Sequence, residues 1–388
     1  MMKIYGNMCP RILIITLSKL TYLDTIASMI IHIFENIPHH YHNFISFFVN
    51  NCGNEFKHRA LIQSSNDPLT DNNNINLLGD LGCTAATYSN NSQLLSLMKQ
   101  EAKESEFIFH SLTNRKLWLE LLFSGFLKRS SWVSWGADIY QYVLKKQTLK
   151  QVIAKTIHSL ACKKMHYVKS LNPGDGKLIT QILGRKKVET LPYPLVGVKQ
   201  PEHLGIEASA NQKILLGNSA AKSNNHFELL DSIKHLAADD ISVYMPLNYA
   251  GTPDYIDEVV EYGQTLFGDK FKPTFEMLSK EEYDQLLASI DVTVFAHDRQ
   301  QGLYVAYYMM LHGKKLFLKA STSTFTNFKS YGFDVFSLEN LASIQYQELK
   351  QINYTSQLKN QNTLINNFTE KALAKKWHAF FQKLTHKK

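Results

Sequence analysis

Short aliphatic runs alternate with helix-forming stretches along most of this 388-residue sequence, and the alternation stops once and then restarts. Met29–Phe34, His58–Ile62, Glu106–Ser111, Ser131–Trp135 and Met165–Val168 read as strands in the first series. Lys213–Leu216, Ile241–Met245, Pro273–Leu278, Asp291–Phe295 and Lys315–Leu318 read as strands in the second. Strands separated by helices pair in parallel, so the pattern predicts α/β units with helices on both faces of each sheet. Between the series lies Val196–Ala210, with Pro201, two glycines and no periodicity.

A chain of this length exceeds one ordinary core and suits two of about 180 residues each. The expected division is an N-terminal extension over 1–28, a Rossmann-like domain over 29–195, a linker over 196–210, a second Rossmann-like domain over 211–350 and a C-terminal helix over 351–388. That helix carries Trp377, Phe380, Phe381 and Leu384 on one face, a stripe expected to pack back onto the body. Asn66–Asn76 reads as a polar loop and Asn172-Pro173-Gly174 as a turn.

Composition narrows the class. With 44% hydrophobic and 20% charged residues the chain is globular, and the apolar part of Arg11–Ile31 is interrupted by Lys19 and Asp24, short of a spanning helix. Four scattered cysteines give no zinc spacing and no disulfide framework, which fits a reducing compartment. Between Gln141 and Lys187 stand eleven basic residues against one acidic, Asp175. Such a bias points to an anionic partner, a phosphorylated substrate or a lipid surface. Nucleic acid ranks last, since no nucleic-acid-binding motif accompanies it.

In open parallel sheets ligands bind beyond the C-terminal strand ends, so two such halves place the chemistry in the cleft between them. Lys213–Leu216 breaks at Gly217-Asn218-Ser219 and a helix resumes after Ser223-Asn224-Asn225, leaving amides that favour an anion. Phe295-Ala296-His297-Asp298-Arg299-Gln300-Gln301-Gly302 repeats the strand–turn–helix arrangement about 80 residues later, so the pair could hold a diphosphate from two sides. Lys222 and Arg299 are cations suited to a leaving diphosphate. Glu276, after PTF, could accept from a sugar hydroxyl or cap the next helix. His39 and His40, following Pro38, could act as base or phosphate contact, or be structural. Asp138, beyond Trp135-Gly136-Ala137, could be a general base or could cap the helix that starts there. No Asp-x-Asp, GxxxxGKS or GxGxxG occurs, which argues against metal-held nucleotide sugar, P-loop and dinucleotide chemistry. No metal and no cofactor are expected.

IPHH after the first strand, FHS with LWL, SWGADIY, ILLGNSAAKSNNH, VYMPLNY with YIDEV, and FAHDRQQGL follow one another in this order. Together, from about Met29 to about Ala342, they resemble the 4-acetamido-4,6-dideoxygalactosyltransferases of enterobacterial common antigen assembly, glycosyltransferase family 56. The resemblance implies a GT-B fold, two Rossmann-like domains facing each other across a cleft. It implies transfer of the sugar from a dTDP donor to an undecaprenyl-diphosphate-linked disaccharide, by a peripheral enzyme at the cytoplasmic face of the bacterial inner membrane.

Carried over by position, Gly217, Asn218, Ser219, Ser223, Asn224, Arg299, Gln300, Gln301 and Gly302 would bind the donor, joined by Lys222 and Glu276 from the reading of the turns. His40, Trp135 and Gly136 would bind the acceptor, and Asp138 or His39 would serve catalysis. Ala220-Ala221-Lys222 stands where the family has Gly, Asp and Arg, which leaves open another nucleotide sugar in O-antigen or capsule assembly. A two-domain binding protein is the non-enzyme alternative.

Overall fold

The computed structural model of the chain describes residues 29–52, 55–143, 148–204, 209–298 and 300–385. The first 28 residues and Arg299 lie outside the described residues.

The first sheet is seven-stranded and wholly parallel, in the order β3-β2-β1-β4-β5-β6-β7. Its strands are β1 (Met29–Phe34), β2 (Lys57–Gln63), β3 (Thr84–Tyr88), β4 (Glu106–His110), β5 (Ser130–Ser134), β6 (Tyr167–Ser170) and β7 (Glu189–Thr190). Between them run helices α1 (Pro38–Asn51), α2 (Pro68–Asp80), α3 (Asn91–Gln100), α4 (Arg115–Ser124), the single turn α5 (Ala137–Tyr140), α6 (Leu149–Lys164) and α7 (Pro173–Leu183).

The second sheet is six-stranded and parallel, in the order β10-β9-β8-β11-β12-β13. It comprises β8 (Gln212–Leu216), β9 (Ile241–Pro246), β10 (Phe271–Thr274), β11 (Val292–Phe295), β12 (Lys315–Leu318) and β13 (Phe336–Ser337). The second series of helices is α8 (His226–Ile233), α9 (Pro253–Phe267), α10 (Lys280–Ser289), α11 (Leu303–Leu311), α12 (Ser323–Tyr331), α13 (Tyr346–Lys350), α14 (Tyr354–Phe368) and α15 (Glu370–Thr385).

Each sheet is covered on both faces, as parallel strands require. In β1, Ile31 and Ile33 join Phe107, Trp132 and the α4, α6 and α7 side chains, whereas Ile30 and Phe34 face α1 and α15. Alternation along the strand separates the two layers. The helix α15 returns from the end of the chain to the first sheet, burying Trp377, Phe380, Phe381 and Leu384, and the Trp377 indole donates to Pro192 O at 2.9 Å.

Three expectations shift. Asn66–Asn76 is no loop: Asp67 caps α2 through the amides of Leu69 and Thr70, with Pro68 at the first helical position. The helix escapes a periodicity search because its inward face includes Asp71, bonded to Ser64 and Ser65, and Asn74, bonded to His42. Pro173 opens α7 under an Asn172 cap rather than closing a turn. The strand expected over Pro273–Leu278 ends at Thr274, leaving Glu276 in the loop beyond.

Candidate active site

The two turns predicted to cooperate are bonded to each other. Gly217 ends β8 with φ +71°, and a Cβ there would stand 2.9 Å from Asn224 Oδ1. Buried Asn224 uses that oxygen to accept from the Asn218 amide at 3.0 Å and from His297 Nε2 at 2.9 Å. Its side-chain nitrogen donates to Ser219 Oγ and Ala221 O. The Ser223 hydroxyl donates to Gln301 Oε1 at 2.8 Å, and Gln301 Nε2 reaches Asn218 Oδ1 at 3.4 Å. Asn225, itself left-handed at φ +56°, donates to Ala296 O and Asp298 Oδ1.

Gly302, φ +67°, starts α11, with His297 and Phe295 only 3.0 Å from where a Cβ would lie. At both glycines a larger side chain would be strained by conformation and crowded by these neighbours. The result is a rigid double turn at adjacent strand ends, with the α11 N-terminus beside it. That is the polarity an anion prefers. Lys222 is exposed at its edge, its ammonium 5.0 Å from the centre of the Tyr255 ring. Glu276 is exposed at the tip of the neighbouring loop, where its main-chain oxygen accepts from Asn248.

Gln300 departs from the expected role. It is buried, and its side-chain oxygen accepts from Asn172 Nδ2 of the first half. Around that bond the halves meet: Asn327 reaches Asn172 and the Gly174 amide, and Tyr140 bonds Ser323 Oγ at 2.7 Å. Asp175 lies in the same buried seam, accepting from Asn172 at 2.9 Å and from Tyr140 at 3.1 Å. Burial pushes its carboxyl up to about 6 despite those two bonds. Sequence reasoning met Asp175 only as the single acid in a basic stretch.

Asp138 is corrected. The carboxylate is wholly buried and accepts from Trp132 Nε1 at 2.9 Å, Ser134 Oγ at 2.6 Å and the amides of Leu112, Trp135 and Gly136. An acid with five donors and no exposed surface shapes the β5 turn, and neither oxygen is left to take a proton from substrate. Gly136, φ +96°, lies under the seam, 3.4 Å from Asp175 Oδ2 at its would-be Cβ.

His39 and His40 sit exposed in the first turn of α1, just beyond the C-terminal end of β1. His40 stacks on Trp135 with centroids 4.5 Å apart, and its close surroundings, then His39, lower its pKa to about 3. The surroundings of His39 lower its pKa as well, so both rings are neutral near pH 7.

A buried chain holds Trp135. Its indole can only donate, so Tyr193 Oη accepts at 2.8 Å and turns its own proton to His110 Nδ1 at 2.5 Å. His110 then donates from Nε2 to His32 Nδ1 at 2.8 Å, and His32 from Nε2 to His58 Nδ1 at 2.9 Å. His58 Nε2, at the far end, has no partner among the described residues. The indole thereby fixes one tautomer in all three imidazoles.

A further feature carries no local sequence signal: a polar cavity of about 540 Å³ at the C-terminal ends of β1 to β4. Glu35, Asn90, Ser111, Thr113, Asn114 and Lys116 are among its walls. Glu35 accepts from the Thr113 amide at 3.0 Å and hydroxyl at 2.7 Å, and buried Ser111 adopts φ +67°, a strained conformation for a residue with a side chain.

The family profile described as 4-alpha-L-fucosyltransferase, glycosyl transferase group 56, matches residues 27–383. The chain belongs to that family. Solved structures agree on the fold. A glycosyltransferase from Rickettsia africae is 12% identical with a TM-score of 0.66, covering 93% of this chain and 99% of its own. WaaG, a glycosyltransferase involved in lipopolysaccharide biosynthesis, is 9% identical with a TM-score of 0.63, covering 92% and 100%. Sucrose-phosphate synthase from Thermosynechococcus elongatus is 10% identical with a TM-score of 0.66, covering 92% and 99%. This group 56 protein is therefore a transferase of GT-B architecture, with two parallel α/β units, and the binding-protein alternative falls away. Among the described residues, no helix is long and apolar enough to cross a membrane.

Proposed function

We propose that this group 56 enzyme transfers 4-acetamido-4,6-dideoxy-D-galactose from its dTDP donor to an undecaprenyl-diphosphate-linked disaccharide of enterobacterial common antigen. The double turn built on Gly217 and Gly302 carries the donor half of the reading. Its amides and the α11 N-terminus face the diphosphate, with Lys222 and Arg299 supplying positive charge, while Asn218, Ser219, Ser223 and Gln301 set the turn's shape. Glu276, on the loop beyond β10, would accept from a ribose or sugar hydroxyl.

In the reaction the sugar's C1–O bond to the diphosphate breaks, the acceptor oxygen bonds C1, and the acceptor hydroxyl loses its proton. With Asp138 sealed, His39 is the group assigned to that proton: it is exposed beyond the end of β1 and neutral near pH 7. His40 on Trp135 offers a flat wall for the apolar face of a sugar, placed by the Gly136 turn. The work would be done at the cytoplasmic face of the inner membrane, with the lysine-rich 141–187 segment toward anionic lipid.

Melting the protein with dTDP, UDP and GDP, then incubating it with dTDP-sugar and lipid-linked acceptor and solving the product linkage by NMR, tests the reading. Stabilisation by dTDP and loss of transfer in Arg299→Ala are expected. Stabilisation by UDP alone, or near-parental transfer by Arg299→Ala, would overturn it.

A further inference from the structure

Helix α6 is apolar on two opposite sides. His158, Ala161 and Cys162 face the core, while Leu149, Val152, Ile153 and Leu160 fall within about 100° of arc on the other side and are exposed. On the adjoining helix α4, which packs on α6 through Trp118 against His158, Leu119 and Phe123 are exposed too. Phe123 is 80% exposed and Leu149 76%, values that leave these rings and branches with almost no protein neighbours. A soluble surface scatters such residues singly; here they recur on two helices that pack together.

The frame around them is basic. Lys128, Lys150, Lys155, Lys163 and Lys164 surround the strip without a carboxylate partner among the described residues, and Lys116 has only Glu120 at 3.6 Å. Helix α6 contains no acid at all. Apolar side chains that project between unpaired cations complement an anionic lipid interface, where chains take up the former and headgroups the latter. The strip also leads somewhere. Lys116 and Glu120, on the same exposed face of α4 as Leu119 and Phe123, line the polar cavity at the ends of β1 to β4.

We propose that the outward faces of α4 and α6 seat on an anionic bilayer, with the apolar strip entering below the headgroups and the cavity mouth held at the membrane plane. The cavity then receives the polar saccharide of an acceptor whose lipid never leaves the bilayer; this part rests on the lipid-linked acceptor proposed above. The seating itself depends only on the strip and its lysines.

Full-length protein is sedimented with vesicles of phosphatidylglycerol and phosphatidylethanolamine, or of phosphatidylcholine alone, and its dTDP-induced melting shift is recorded alongside. Parent protein should pellet with the anionic vesicles and not with phosphatidylcholine. The double variant Phe123→Glu/Ile153→Glu, changed only at exposed positions, should lose at least tenfold in vesicle affinity while keeping the parental melting temperature and dTDP shift. Replacing Lys150, Lys155, Lys163 and Lys164 with Gln should weaken pelleting and its salt dependence.

Parent protein left in the supernatant, or a double variant that pellets like the parent, would overturn the proposal. So would a parental dimer in sedimentation velocity that the double variant dissociates, since the strip would then be covered by a second copy. A missing dTDP shift with intact vesicle binding would instead sink the donor reading and leave the seating in place.

Discussion

Ser223 and Gln301, 78 residues apart in sequence, share a hydrogen bond of 2.8 Å that ties the turn after β8 to the turn before α11. The bond joins two strand–helix units that Asn224 with His297 and Asn225 with Asp298 also link, so the shape of the anion-facing surface depends on both. Gln301→Ala removes this bond and the longer one to Asn218 while leaving the partly exposed Ser223 hydroxyl able to find water. At about 1 kcal/mol for a net hydrogen bond, the KM for the nucleotide sugar should rise about fivefold, with a melting temperature within a few degrees of parental. Steady-state kinetics with varied donor checks this.

Asn224→Ala should be more damaging to the fold. It strips the acceptor from the partly buried Asn218 amide and from the buried His297 Nε2 together. An unsatisfied buried donor costs about 1–3 kcal/mol, so a loss of about 2–4 kcal/mol is expected in urea titration, along with the nucleotide-induced melting shift.

Gly217→Ala and Gly332→Ala separate strain from contact. Both glycines have positive φ, +71° and +91°, but a Cβ at Gly332 meets open space whereas one at Gly217 meets Asn224 Oδ1 at 2.9 Å. Gly332→Ala should cost about 1 kcal/mol and spare activity. Gly217→Ala should cost more and abolish measurable dTDP binding by calorimetry.

Stability against pH should carry two opposing signatures. His32 and His110 are held well below the ordinary histidine range by burial, and His58 is lowered to about 3. Their folded pKa values are depressed, so the unfolded chain takes up protons first and stability falls as pH drops below about 6.5. Each such group adds up to about 1.4 kcal/mol per pH unit to that slope. Asp175 acts the other way: its folded pKa is raised to about 6, so its protonated form stabilises the seam, and that contribution is lost as pH rises from about 4 to 6. Urea midpoints between pH 5 and 7.5 should show the net decline, shallower by one proton in His58→Phe and steeper near pH 5 in Asp175→Asn.

The alternation of strand and helix was legible because parallel strands buried on both faces must be largely aliphatic, and runs such as Ile30–Phe34 and Ile214–Leu216 advertise that directly. The double turn was legible for a related reason, since each aliphatic run breaks at a short polar turn before a helical pattern resumes. Helix α2 was not, because Asp71 and Asn74 occupy positions where an apolar stripe would have betrayed it. Asp138 had two readings of equal weight, and only the five donors converging on it decide for the structural one. The seam of Asn172, Asp175 and Gln300 had no signal, since polar residues that meet across 128 positions leave no local pattern.

The return of α15 to the first sheet has a consequence for biogenesis. Trp377 and Phe381 complete the layer over β1 and β2 and the imidazole chain, yet they leave the ribosome nearly 200 residues after β7. At about 5–20 residues per second that is roughly 10–40 s during which the part of that face not covered by α1 stands open. The first half of this protein therefore completes its core only after the second has been made.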